Sequence, residues 1–220
     1  MAVFDVSFMV STVPIILKAM GTTTWVAIVS SMGAATLGFL FEIARRSGRV
    51  PGAAMRFLID FIRSTPILVQ IYFFYFVLPH YGVTLPALVV GVFALSLYYS
   101  GYLAEVFKAG IDSIPRGQFE AAQALGLNRF DTTFRVIVPQ MLRAVAAPIG
   151  NYFVSVLKAT PYLAVISVHE MLGAALDIGS ESFRYPEPMI AVGIIFLGLA
   201  LIIAQAVRWM ELRLLASHKR

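Results

Sequence analysis

Two ionisable side chains lie inside apolar runs of the sequence, where a charge is unusual. Glu105 and Lys158 are the ionisable residues deepest in runs long enough to cross a membrane. A charge at that depth is costly and usually faces a cavity or a partner. Lys158 lies between Asn151 and Thr160-Pro161, and Pro161 frees backbone carbonyls that are tolerated at depth beside protein or a cavity. Both are candidates for a polar pathway, and a snorkelling or structurally paired side chain is the alternative.

Other chemistry finds little support in the residue types. His80, His169 and His218 are isolated and lack metal-ligand spacing, and the chain has no cysteine. Thiol nucleophiles and cysteine-ligated metals are therefore excluded, and we predict no metal and no cofactor bound by this chain. Ser155 and Lys158 lie one helical turn apart, but nothing else supports an intramembrane acyl-transfer enzyme. No Walker A pattern is present, so we expect the chain not to hydrolyse ATP.

Further polar candidates lie in the second and third apolar runs. In chain order they are Arg63, Thr65, Gln70, Tyr98 and Tyr102. The first three flank Pro66, where they could line a gate or a subunit interface; helix capping with a kink at the proline is the alternative. The two tyrosines lie mid-span beside Ser100 and Gly101 and could line a polar cavity. Close helix packing by these small residues is the other reading.

The composition indicates the class of protein that must position these residues. The chain has 220 residues, of which 59% are hydrophobic and 13% charged, against about 45–50% and about 25% in soluble domains. Five apolar runs approach the roughly 20 residues that a membrane-spanning helix needs. They are residues 19–41, 57–79, 85–104, 144–168 and 188–207. We predict an all-α membrane protein of five transmembrane helices, with residues 1–220 forming one transmembrane domain.

Residues 1–18 precede these runs. Val6–Leu17 is uncharged but too short to span, and Pro14 interrupts it. We expect this segment to lie along the outer membrane interface as a short helix. It lacks a basic stretch before the apolar residues, so it does not resemble a cleaved signal peptide.

The positive charge is unevenly distributed and predicts the orientation. The net charge is +5, and fourteen of the 17 basic residues fall in three stretches. These are Arg45, Arg46, Arg49, Arg56 and Arg63; Lys108, Arg116, Arg129, Arg135 and Arg143; and Arg208, Arg213, Lys219 and Arg220. Loops rich in Lys and Arg stay in the cytoplasm. We expect a multi-pass membrane protein with the N-terminus outside and the C-terminus cytoplasmic, and no interaction with nucleic acid.

The longest stretch between runs, residues 111–143, has the features of a docking segment. Pro115 and Gly117 separate it from the third run, and good helix formers follow over Gln118–Leu125. Gly126 is a natural helix stop, and Glu120 in the first turn favours the helix dipole. Small alanines allow a partner surface to approach closely, as in helix-in-groove recognition. An amphipathic linker at the membrane interface is the alternative.

Several motifs in this order resemble those of ABC importer permeases. Glu120-Ala121-Ala122, then Gly126, then Ile137-Val138-Pro139 is similar to the EAA signature, with Val138 where the family usually has leucine. Phe61–Tyr72, Tyr102–Gly110 and Gly150-Asn151 with Leu157-Lys158 resemble motifs of the polar amino acid uptake family. The resemblance covers residues 10–212. It implies the type I importer permease fold, with Glu120, Ala121, Ala122, Gly126 and Pro139 coupling to an ATPase.

The resemblance also implies partners and a mechanism. It implies a protein of the bacterial inner membrane. Two ATPase subunits, which use ATP and Mg, would lie on its cytoplasmic side, and an extracytoplasmic solute-binding protein on the other side. A second permease subunit, a sibling or an identical copy, would complete the pathway. The different-class alternative is an ATP-independent carrier or channel, which would tolerate disruption of residues 120–126.

The substrate class follows less directly from the residues. Relatives commonly carry a carboxylate after the lysine that matches Lys158, and this chain has Ala159. This departure disfavours a cationic substrate and favours a zwitterion whose carboxylate meets Lys158. Residues 179–188 and Ser64-Thr65-Pro66 look similar to ectoine and hydroxyectoine permeases. Another polar amino acid, such as glutamine, glutamate or a basic one, is the alternative.

Overall fold

The computed structural model describes residues 4–216, and every regular element within that range is helical. The elements are α1 (Val6–Arg45), α2 (Arg49–Ser64), α3 (Ile67–Tyr72), α4 (Ala87–Asp112), α5 (Arg116–Ala124), α6 (Arg129–Asp131), α7 (Val138–Ala159), α8 (Met171–Ser182) and α9 (Pro186–Ala216). Two π-helical segments (Phe73–Val77 and Thr132–Ile137) and two 3-10 segments (Leu78–Tyr81 and Thr160–Ile166) connect some of them. His218, Lys219 and Arg220 lie outside the described residues.

The number of long apolar helices agrees with the predicted fold class. Four helical stretches are long and apolar enough to cross a membrane: Val6–Arg45, Ala87–Asp112, Arg129–Ser182 and Pro186–Met210. A fifth span results if the bent pair Arg49–Ser64 and Ile67–Tyr81 is counted as one. The prediction of an all-α membrane protein is therefore confirmed, with the second span differing in shape.

The first helix is longer than the sequence predicts. Helix α1 runs through Pro14 without a break for 40 residues, about 60 Å at 1.5 Å per residue. Asp5 caps its first turn by accepting from the backbone N–H groups of Ser7 and Phe8. Val6–Leu17 is therefore the first part of α1 rather than a separate helix. One proline removes a single backbone donor, and Val13 and Ile16 beside it pack with residues of α8 and α9. The interfacial position of residues 1–18 stays a prediction.

The second span is broken where the sequence predicts a kink. Helix α2 and the helical stretch Ile67–Tyr81, which begins with α3, meet at an angle of 101°, so residues 57–79 do not form one straight helix. Thr65 has extended backbone angles, φ −97° and ψ 134°, because the ring of Pro66 disfavours the helical region for the residue before it. The break directs α2 away from the axis of the helix that follows.

Helices α1 and α4 form the centre of the bundle, and small residues let them approach closely. A Cβ at Gly38 would lie 2.9 Å from the carbonyl oxygen of Ser100, and one at Gly33 would lie 2.5 Å from the Ser96 hydroxyl. Helix α7 packs on α4 in the same way, with Gly110 against Val145. Small residues at such crossings maximise packing where lipid offers no hydrophobic driving force.

Helix α8 lies in a stretch for which the sequence predicts no element. Its N-cap residue is Glu170, a fully buried side chain whose Oε1 accepts from the backbone N–H of Gly173 at 2.7 Å. The preceding residues Thr160–Ile166 form the 3-10 segment. The chain therefore leaves regular helix at Thr160-Pro161, as the sequence predicts, and turns back into α8.

Candidate functional site

A cavity of about 380 Å³ lies between the C-terminal end of α2, the C-terminal half of α4 and the middle of α7. Arg63, Tyr102 and Glu105, three of the predicted pathway residues, line it together with Tyr152. Pockets that combine an apolar wall with a few convergent polar groups are the usual binding sites for small molecules. The fold thus brings together side chains from three helices that are up to 89 positions apart in the sequence.

Glu105 is held by two arginines at one wall of the cavity. Its Oε1 accepts from Nη1 of Arg45 at 2.5 Å and lies 3.9 Å from Nη1 of Arg63. The Arg45 side chain is almost fully buried, whereas those of Glu105 and Arg63 are about one third exposed. One arginine is therefore a fixed structural partner, and the other presents a cation to the cavity.

A buried carboxylate on α1 extends this ion-pair arrangement. Glu42 has no exposed surface and forms ion pairs with both Arg45 and Arg46. Arg46 in turn reaches Asp112, with 2.6 Å between Nη2 and Oδ1. The network ties the C-terminal end of α1 to the C-terminal half of α4. Burial of such charges is tolerated only because each one is paired.

Aromatic rings from α4 and α7 also contribute to the cavity. Tyr102 and Tyr152 line it, whereas the predicted pathway residue Tyr98 does not. The hydroxyls of Tyr98 and Tyr102 lie 3.1 Å apart, and the Tyr102 hydroxyl donates to the carbonyl oxygen of Arg63 at 3.3 Å. The Arg63 guanidinium lies 5.4 Å from the centre of the Tyr102 ring, within the range of a cation–π contact. Tyr152 on α7 lies 6.0 Å from the same ring, centre to centre.

Tyr152 is a lining residue that the sequence analysis missed. It shares one helical face with Val145, Pro148 and Ile149, spaced as i, i+3, i+4 and i+7. Val145 is buried in the bundle, so this periodicity marks the inward face of α7. This spacing is visible in the sequence. The prediction instead relied on Asn151 and Lys158, which lie on a different face of α7.

Two predicted residues close the α2–α3 break instead of lining the cavity. The side-chain Nε2 of Gln70 donates to the carbonyl oxygen of Ile62 at 2.9 Å and to the Thr65 hydroxyl at 2.6 Å. The Thr65 hydroxyl lies 3.1 Å from the carbonyl oxygen of Phe61, to which it can also donate. Breaking the helix at Pro66 leaves these carbonyls without their usual partners, and the two side chains satisfy them.

Asn151, Lys158 and Thr160 lie away from the cavity. Asn151 and Lys158 are exposed on one face of α7, turned by about 100° from Tyr152 because successive helical residues rotate by that angle. Lys158 has no carboxylate within 4.0 Å among the described residues. Thr160 is fully buried and donates to the carbonyl oxygen of Leu157 at 2.9 Å.

The segment predicted to couple to a partner forms a short helix with a defined end. Helix α5 covers Arg116–Ala124, against the predicted 118–125. Gly126 has φ +71°, its N–H donates to the carbonyl of Gln123, and the N–H of Leu127 donates to that of Ala122. This pair of hydrogen bonds is the Schellman arrangement, which favours glycine at the left-handed position.

One side of α5 rests on the protein and the other is exposed. Ala122 is buried, whereas Glu120 and Ala121 are exposed. Gln118 accepts a hydrogen bond from Nε2 of Gln140 at 3.1 Å, beside the exposed Pro139 at the start of α7. Four of the five predicted coupling positions, Glu120, Ala121, Gly126 and Pro139, are thus exposed, and Ala122 anchors the helix.

Among the side chains that the structure describes within residues 4–216, there is no group of three or more His, Cys, Asp or Glu that could hold a metal ion. The acidic residues near the cavity are instead paired with arginines.

The sequence and the fold both match known transport proteins. The chain is 39% identical to a probable amino-acid ABC transporter permease protein, y4tG, of Sinorhizobium fredii, over 96% of this chain and 91% of that one. It is 30% identical to the glutamine transport system permease protein GlnP of Escherichia coli, over 96% and 98%.

A crystal structure of an amino acid ABC transporter with histidines contains a chain with a TM-score of 0.86 and 29% identity, covering 96% of this chain and 99% of that one. A family model described as the binding-protein-dependent transport system inner membrane component matches residues 33–216. That range includes the whole cavity and the α5 segment. The chain therefore belongs to the family of binding-protein-dependent transport system inner membrane components.

Proposed function

We propose that this chain is the permease subunit of an ATP-driven importer for a polar amino acid or an amino-acid-derived compatible solute. The observation that carries the proposal is the cavity in which Arg63, Glu105 and two tyrosines converge. A wall that offers one cation and one partly neutralised carboxylate suits a molecule carrying both charges. A strongly cationic substrate would meet Arg63 and a carboxylate already paired with Arg45.

The pathway requires a second permease subunit, a sibling or an identical copy. Asn151 and Lys158 project from the exposed face of α7, where a charge at membrane depth would be costly against lipid. A second subunit packed on that face would enclose both side chains in a shared pathway. Lys158 would then meet the carboxylate of a zwitterionic substrate.

The exposed residues of α5 would transmit the ATPase cycle to the membrane helices. Two ATPase subunits would bind ATP and Mg, and their closure would displace the segment around Glu120–Gly126. Helix α5 is continuous with α4 through the short turn at Ser113–Pro115 and packs on the π-helical segment before α7. A push on α5 would therefore reach α4 and α7, two of the three helices that line the cavity. An extracytoplasmic binding protein would deliver the substrate on the opposite side.

Ectoine or hydroxyectoine is the first substrate we propose. These solutes are neutral overall, which agrees with Ala159 replacing the acid and with the mixed charge of the cavity. Glutamine is the second candidate, because one relative is a glutamine permease. It is also a neutral zwitterion, so only a transport measurement separates the two.

Uptake by reconstituted complexes tests the proposal. Proteoliposomes would contain the permease, its ATPase and its binding protein, with ATP inside or outside the vesicle and labelled ectoine, glutamine or arginine as the substrate. We expect uptake that depends on ATP at the ATPase face and prefers a neutral zwitterion. Uptake without the ATPase would establish the ATP-independent carrier instead.

Two variants separate coupling from folding. Glu120→Lys reverses an exposed charge on α5 and should abolish uptake while the membrane level stays normal. Asp60→Lys is the matched control, since it reverses an exposed charge on α2, outside α5. Lys158→Ala should reduce uptake, whereas Lys18→Ala, a similarly exposed lysine on α1, should not. Normal uptake by Glu120→Lys would remove α5 from the coupling pathway.

The orientation is part of the proposal and can be measured separately. The chain has no cysteine, so a thiol reagent labels only the cysteine that is introduced, and the side from which it reacts gives the location of that residue. Phe4→Cys should react with an impermeant thiol reagent from outside the cell, and Gln123→Cys only after the membrane is opened. The reverse pattern would show that the N-terminus is cytoplasmic.

A further inference from the structure

Helix α2 has an apolar face that nothing in the described structure covers. Its buried face is formed by Gly52, Ile59 and Ile62, which pack against the bundle. The opposite face carries large apolar side chains in the open. They are Val50, Phe57, Leu58 and Phe61, with exposed fractions of 81%, 74%, 38% and 57%. The rings of Phe57 and Phe61 stack on each other, so the face is a continuous apolar strip.

A basic strip separates the apolar face from the buried one. Arg49, Arg56 and Arg63 recur every seven residues, and Asp60 lies on the same strip. Arg63 is engaged at the cavity. Arg49 and Arg56 are exposed, and neither has a carboxylate within 4.0 Å among the described residues. Two guanidinium groups therefore remain available at the edge of the apolar strip.

The bend at Pro66 determines how this helix lies in a membrane. Helix α2 and the helical stretch Ile67–Tyr81 meet at 101°, so α2 lies near the membrane plane if that stretch follows the membrane normal. Only three residues separate α2 from the end of α1, a helix long enough to cross the bilayer. A helix in this position lies at the boundary between headgroups and acyl chains.

We propose that α2 is an in-plane interfacial helix that binds anionic phospholipid. Val50, Phe57 and Phe61 insert between the acyl chains, and Arg49 and Arg56 contact lipid phosphates. Apolar and basic strips on one helix are the composition of helices that lie in the interface plane. Positive charge at the strip's edge is complementary to an anionic leaflet, whereas a second copy of this chain would bring arginines of its own.

Contact quenching tests which medium covers the apolar strip. A bimane fluorophore would be placed at Phe57→Cys, or at Phe61→Cys if the first variant folds poorly, in the full chain reconstituted with its partners. The quenchers are brominated acyl chains for lipid and iodide for water. Ile194→Cys on α9, where the wild-type residue is 61% exposed, is the lipid reference. Ser47→Cys, exposed in the polar turn between α1 and α2, is the water reference.

We expect position 57 to be quenched by brominated lipid as strongly as position 194 and little by iodide. Strong iodide quenching at positions 57 and 61 would overturn the proposal in favour of a water-facing strip. Protection from both quenchers, with disulfide crosslinking between two chains at position 57, would overturn it in favour of a subunit interface.

Native mass spectrometry tests the lipid charge. Phosphatidylglycerol or phosphatidylcholine would be titrated onto the detergent-purified complex. Arg49→Gln with Arg56→Gln should weaken phosphatidylglycerol binding on the order of tenfold, since each basic residue near an anionic surface contributes a several-fold factor. Phosphatidylcholine binding should not change. Arg116→Gln with Arg129→Gln, two exposed cytoplasmic-segment arginines, is the control. Equal effects of the two pairs, or no effect of the first, would refute the assignment of Arg49 and Arg56.

Discussion

Gly126 offers the sharpest test of how α5 is terminated. Its φ of +71° lies in the left-handed region, and an added Cβ would meet no atom within 4 Å. Replacing it with alanine therefore introduces backbone strain and no clash. The left-handed conformation costs an L-residue about 1–2 kcal/mol, which shifts the equilibrium between the formed and the frayed helix end by about 5–30-fold.

Matched substitutions isolate this cause. Asparagine tolerates the left-handed region, so Gly126→Asn should retain most of the wild-type behaviour. Gly117 lies at the start of the same helix, has nothing within 4 Å of its Cβ position and has no positive φ. Gly117→Ala should therefore be neutral or slightly stabilising, because alanine is the better helix former by about 0.5–1 kcal/mol.

Two assays read the effect at different levels. Hydrogen exchange at the Leu127 amide, which donates to Ala122, should quicken by about 5–30-fold in Gly126→Ala and stay unchanged in Gly117→Ala. ATP-driven uptake should fall in the same order at equal membrane levels. Unchanged exchange would refute the backbone argument. Faster exchange with normal uptake would support the role of Gly126 in ending α5 and would show that transport does not depend on this helix end.

Three other perturbations test the bundle. Glu42→Gln should cost about 3–5 kcal/mol in thermal unfolding, because it removes the buried partner of two arginines, whereas Asp112→Asn, at an exposed pair, should cost about 0–1 kcal/mol. Gly110→Ala places a Cβ 2.3 Å from Cγ1 of Val145 and should lower stability by about 1–3 kcal/mol; adding Val145→Ala should restore part of the loss. Hydrogen bonds from the Ser7 side chain and the Phe8 backbone lower the pKa of Asp5, so its cap stabilises the fold at neutral pH and this contribution is lost as the pH falls through that lowered pKa. Unfolding of Asp5→Ala should therefore converge with that of the wild type in strong acid, and a constant difference across the pH range would contradict the assignment.

The sequence determined the class of protein because composition and motif order are local properties of the chain. An apolar content of 59% with clustered basic residues requires a membrane, and the family match confirms the resemblance that the Glu120–Pro139 motifs suggested. The prediction that the chain is a transport component and not an enzyme is confirmed by the same match. Gly126 could be identified as a helix stop because its conformation depends on its own backbone and those of its neighbours.

The side-chain partners could not be read from the sequence, because they depend on how the helices cross. Glu105 was a lone acid in the third apolar run until the fold placed Arg45, 60 positions earlier, against it. Gln70 was a pathway candidate until the bend at Pro66 exposed carbonyls that its amide satisfies. Helix periodicity assigns a residue to a face but does not say what that face meets.

The length of α1 and the angle of α2 were also decided by tertiary structure. Pro14 is a local signal for a break, yet α1 stays continuous there, where Val13 and Ile16 pack with residues of α8 and α9. Pro66 gave the same local signal, and there the chain turns by 101° because Thr65 becomes extended and neighbouring side chains satisfy the broken ends. From the sequence, a proline indicates only that one backbone donor is missing. Whether the helix bends around that loss depends on the contacts available on either side.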